Sequence, residues 1–141
     1  MTALSANAGR EIRNDLAKSK QSYIVKTGAK IYANALVMQT ANGSVTPCAD
    51  STTGKFAGLA IEEQLTGNGT RRVEVVDDIE IRIFLMTTVT VGLVGTIAYA
   101  KDDNAITNLA TQGPQVGTIT ERIAANDGWV KLRRAVMAKG T

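Results

Sequence analysis

The chain has 141 residues, room for one domain with tails and not for a second enzymatic one, and its 44% hydrophobic and 21% charged residues exclude wholesale disorder. It holds no histidine, which removes Ser/His/Asp and Cys/His triads and most zinc sites, and a single cysteine, Cys48, which excludes an intrachain disulfide scaffold. The net charge of +3 is gathered at the ends: residues 1–30 carry six bases against two acids and residues 131–141 four bases and no acid, so the body between them is acidic. This is a pattern for docking on a complementary surface, and not for a basic face that holds nucleic acid.

Residues 1–20 have small side chains, scattered charge and no sustained apolar period, so they read as an N-terminal arm outside the core. A short helix over Arg10 to Lys18, capped by Asn7, has only Ile12 and Leu16 as apolar anchors and would fray in water. From Gln21 the texture changes to short Val, Ile and Thr runs between Gly, Asn and Asp turns, the mark of an all-β body over 21–135, followed by a tail, 136–141. Ser22 to Lys26 is the first expected strand. Leu36 to Thr40 and Ser44 to Cys48 form a hairpin across Ala41-Asn42-Gly43, with Asn42 or Gly43 at positive φ. Phe56 to Glu62, Arg71 to Val76 and Ile79 to Met86 follow; in the last, Ile79, Ile81, Ile83 and Leu85 share one face, and Phe84 and Met86 interrupt the polar face begun by Glu80 and Arg82. Gly95 to Ala100, Ala105 to Leu109, Gln115 to Glu121 and Asp127 to Leu132 complete the set.

The second half parallels the first at an offset of about sixty residues. Gln115-Val116-Gly117-Thr118-Ile119-Thr120-Glu121 repeats Phe56-Ala57-Gly58-Leu59-Ala60-Ile61-Glu62, with glycine third and an acid seventh. The fold class expected is all-β, a small barrel or sandwich of two pseudo-repeated halves with an extended N-terminal arm.

The chemistry-bearing motifs have plain explanations. Asp77-Asp78 and Lys101-Asp102-Asp103-Asn104 read as polar turns and not as paired catalytic carboxylates or a calcium loop. Gly67-Asn68-Gly69-Thr70 precedes a strand, whereas phosphate-cradling loops precede a helix. Asn42-Gly43-Ser44 and Asn68-Gly69-Thr70 are turn sequences. Cys48 has no base beside it and reads as a half-buried side chain. Trp129 is either an interface anchor or a lid on the barrel. No enzymatic activity, cofactor, metal or small-molecule substrate is expected. The N-terminus lacks a signal-peptide pattern, and the most apolar stretch, Thr87 to Ala100, is too short and polar to span a bilayer, so neither export nor a membrane is expected.

Five segments in order, Met1 to Asn7, Lys30 to Val37, Lys55 to Glu62, Tyr99 to Ile106 and Asp127 to Leu132, resemble the capsid cement, or head decoration, proteins of tailed bacteriophages. Asn34 departs from that pattern, where a glycine is expected. The resemblance implies a structural protein of the virion's outer surface, present in the host cytoplasm during assembly, whose partner is the major capsid protein and which acts as a homotrimer. Another phage structural β module, a tail tube or fibre domain, is the alternative. On this reading the capsid-binding residues lie in the arm: Leu4, Ile12 and Leu16 enter shallow pockets while Arg10, Arg13, Lys18 and Lys20 pair with acids. The arm is expected to be disordered until it meets the capsid. Phe84 and Met86 are the expected oligomer interface.

Overall fold

The β-branched runs pair into eleven strands, and no α-helix occurs among the described residues. The computed structural model describes residues 4, 6–7, 9–16, 18–49, 53–85, 93–108 and 113–134. The strands are β1 (Ile12–Arg13), β2 (Ser19–Ile24), β3 (Leu36–Gln39), β4 (Val45–Pro47), β5 (Lys55–Ala60), β6 (Arg72–Asp77), β7 (Ile79–Leu85), β8 (Ile97–Ala100), β9 (Ala105–Thr107), β10 (Gln115–Ala124) and β11 (Asp127–Leu132).

The first half is a sheet in the order β2-β6-β5-β3-β4. The second runs β7-β11-β10-β8-β9 and closes into a five-stranded barrel where β9 pairs in parallel with β7, Phe84 opposite Ala105 and Leu85 opposite Ile106; β1 is added to the outer edge of β7. Each order is the other with every strand advanced by five places, so the two halves share one topology. Their registers agree as well. The cross-strand row Lys20, Val76, Leu59, Leu36 of the first half corresponds to Glu80, Lys131, Thr118, Ile97 of the second.

The repeated glycine has a steric cause. Gly58 and Gly117 sit at equivalent ladder irregularities with φ of 150° and 153°. A Cβ on Gly58 would lie 2.7 Å from the Val76 carbonyl oxygen, and one on Gly117 would lie 1.7 Å from that of Lys131, the equivalent residue. Asn34, which stands where the phage pattern has glycine, adopts φ +66°, a conformation that asparagine tolerates better than other side chains.

Two clusters form the core. Val25, Ile31, Val37, Val45, Val73 and Val75 fill the first half, whereas Leu36, Met38, Phe56, Leu59 and Val76 face out of it and join one buried cluster with Ile79, Ile81, Val130 and Leu132 of the second. Full burial of such a side chain contributes about 1.5–3 kcal/mol, so the row that joins the halves is a principal source of stability. In the second half the equivalent row is partly polar, and Ile97 is exposed. Arg134, just beyond β11, ties the halves together: its N–H donates to Asp77 Oδ2 at 2.7 Å, its Nε to the Ala57 carbonyl at 2.9 Å, and its Nη1 lies 3.3 Å from Asp77 Oδ1.

The arm departs from expectation. The described residues between Arg10 and Lys18 form no helix; Ile12 and Arg13 instead pair with Ile81 and Glu80 on β7, whose free edge offers backbone partners that two apolar anchors on an isolated turn cannot match. β2 begins at Ser19, so Lys20 belongs to the body.

Candidate docking cleft beneath the N-terminal arm

Three of the arm residues singled out as capsid contacts turn toward the body. Leu4 packs on the core of the first half and its N–H donates to Asp103 Oδ1 at 2.8 Å. Arg10 donates from Nε to the Asn34 carbonyl at 2.7 Å and from Nη2 to Asn104 Oδ1 at 3.1 Å. Arg13 reaches over the outer face of the second half, donating to Glu80 at 3.0 Å and to Glu121 at 2.8 Å, with its guanidinium carbon 4.1 Å from the Trp129 ring centroid. Trp129 is thus covered by the arm and forms the floor on which Arg13 rests. These bonds hold part of the arm that was expected to order only on the capsid; they are polar and invisible to an apolar count.

The charges at these points are tuned by their surroundings. Burial pushes the Glu80 carboxyl up, but the Thr120 hydroxyl, the Asn14 amide and Arg13 outweigh it and hold Glu80 below the ordinary carboxylate range. Arg82 forks onto Asp127 at 2.6 Å and holds that carboxyl low against a smaller effect of burial, while its other arm meets Glu11 at 3.2 Å. Asp103 is 1% exposed, and burial raises its carboxyl above the usual value despite the Leu4 N–H and the Arg10 charge. The same burial lowers Arg10. Cys48 is buried and not half-buried as expected, and desolvation, with the negative charges of Asp103 and Asp102, pushes its thiol well up.

Asp103, Asp77 and Glu80 are the structural acids that the sequence reading passed over. Asp103 sits in a turn and Asp77 at the end of β6 beside one, places where acids are normally solvated. Their partners lie 99 and 57 residues away, so no local signal marks them.

The remaining arm residues gather elsewhere. β alternation places Ile12 on the opposite face from Arg13, and it lines a cleft of about 180 Å³ with Asp15, Lys18 and Lys20 around a floor of Leu59, Ala60, Val76 and Ile79. The cleft lies where the arm crosses the junction of the halves. Ile61, at its margin, is exposed, and Leu16 stands wholly in solvent. Phe84 is 38% exposed on the outward face of β7, in register with Asp127 and on the side of the strand that carries Glu80 and Arg82. Met86 lies outside the described residues.

No protein-family model matches the chain, and no curated protein matches it. Among the described residues no group of three or more His, Cys, Asp or Glu is placed to hold a metal ion, and no helix is long and apolar enough to cross a membrane.

Proposed function

We propose that the protein is a non-enzymatic virion component that docks on the outer surface of an assembled phage head and stabilises contacts between major capsid subunits. The observation that carries this reading is the division of the arm. Leu4, Arg10 and Arg13 fasten it to the body, so that Leu16 is presented in solvent beside a cleft with an apolar floor and two lysines at its rim. A fastened prong costs less to order on binding than a free tail, at about 1 kcal/mol or more saved per residue. Ile12, Leu16, Lys18 and Lys20 are the contact residues on this reading, and Leu4, Arg10 and Arg13 position them. Binding only the assembled state adds stability to that state, and repeated copies on one lattice add by avidity. The five resembling segments support the same role.

The reading includes a homotrimer whose interface takes in Phe84, since a half-exposed phenylalanine among charged neighbours gains by being covered. Phe84→Glu is expected to reduce the oligomer to monomer by light scattering with an unchanged circular dichroism spectrum. A trimer that survives the substitution removes Phe84 from the interface. The cleft is tested by attachment to purified heads: Leu16→Asp and Lys18→Glu should each weaken it, and attachment unaffected by both would overturn the assignment.

A further inference from the structure

The shared topology of the halves exposes an unequal pair of edges. In the second half the outer edge of β7 is covered by β1 along Glu80 and Ile81, with the Arg82 N–H donating to the Glu11 carbonyl at 3.0 Å, and farther along by β9. The equivalent strand of the first half, β2, ends its sheet, and among the described residues that side is closed by a single bridge, Val25 to Val45, with the Lys26 N–H on the Val45 carbonyl at 2.9 Å. Since the Val25 N–H points to the Arg71 carbonyl at the head of β6, strand alternation turns the main-chain groups of Lys20 and Ser22 and the Ile24 N–H to the side away from β6, beyond the reach of the Val25–Val45 bridge. The Ser22 carbonyl there is met by the Arg72 Nη1 at 3.3 Å.

A groove of about 590 Å³ runs along this edge, between Ser22 to Thr27 of the β2 region and the hairpin tip Asn42-Gly43-Ser44. Lys26 and Arg72 line it, and no acid does. We propose that this groove receives an extended acidic segment of a partner protein as an added strand on β2, in the manner of β1 on β7. Main-chain bonds to Ser22 and Ile24 supply the affinity, and Lys26 and Arg72 select the charge. The same two cations disfavour a second copy of this chain, because pairing β2 edges would bring like charges together. The site is separate from the cleft beneath the arm and stands whether or not the protein decorates a head.

The test uses the full chain and a synthetic peptide of about eight residues alternating glutamate with valine, beside a peptide with lysine in place of glutamate. The acidic peptide is expected to bind, to weaken with salt, and to slow exchange of the Ser22 and Ile24 amides. Ser22→Pro removes one outward N–H of an edge strand without touching the β2–β6 ladder, and should lower affinity about tenfold or more while the fold persists. Should that variant misfold, the paired change Lys26→Glu with Arg72→Glu serves, and is expected to transfer preference to the lysine peptide. Equal binding of both peptides, protection confined to other strands, or no binding at millimolar peptide would each overturn the proposal.

Discussion

Arg13 and Glu80 show how one residue pair decides the course of a whole segment. Arg13 stacks on Trp129 and bonds to two carboxylates, and Glu80 in turn collects Arg13, Asn14 and Thr120. Glu80→Ala strips three donors of their acceptor and is expected to cost about 2 kcal/mol in denaturant unfolding. Because the folded carboxyl of Glu80 is held low, its contribution is fully present above the unfolded carboxylate range, about 4.3, and is lost as pH falls through the lower folded value. Asp103 has the opposite sign. Its folded carboxyl is raised, so its share of stability is present at low pH and declines as pH rises from the ordinary carboxylate range through the raised value. Unfolding measured from pH 3 upward should therefore lose part of its acid sensitivity in Glu80→Gln and gain some in Asp103→Asn. Leu16, with no partner in the fold to lose, should tolerate aspartate within about 0.5 kcal/mol.

At the scale of elements, the repeat was legible because its cause is local. Gly58 and Gly117 recur since each half needs a residue without Cβ where the ladder shifts beside a neighbouring carbonyl. Alanine at Gly117 should be the more damaging, by about 3 kcal/mol or more, because 1.7 Å is deep inside backbone contact, whereas Gly58→Ala meets the equivalent oxygen at 2.7 Å. Thermal denaturation of the two variants would rank them, and a reversed order would show that the equivalence is only topological. The body strands from β3 onward were readable from alternation and turns to within a few residues at most boundaries. β1 and the early start of β2 were not, because the first exists through an edge 69 residues away at Ile81 and the second through β6. Local propensity does not carry such information. The candidate site was half legible for the same reason: Ile12, Leu16, Lys18 and Lys20 were recognisable as arm residues, but which side of the arm each takes depends on Trp129, Glu80 and Asp103 in distant strands.

For the whole molecule, the first half buries an apolar row against the second, and the second presents the equivalent row, partly polar, beneath Arg13. Deleting residues 2–18 uncovers Trp129 and the β7 edge, so the melting temperature should fall, by about 5–10 °C. Arg134→Ala leaves Asp77 buried without its cation and should cost about 3 kcal/mol by denaturant unfolding. Co-sedimentation of the intact protein and of Leu16→Asp with purified heads and with unassembled capsid subunits decides whether the fastened arm presents a docking surface to an assembled head. The intact protein is expected to pellet with heads and not with free subunits, and Leu16→Asp to remain folded but stay in the supernatant; equal sedimentation of the two proteins, or binding to free subunits as tight as to heads, would show that the arm is not that surface.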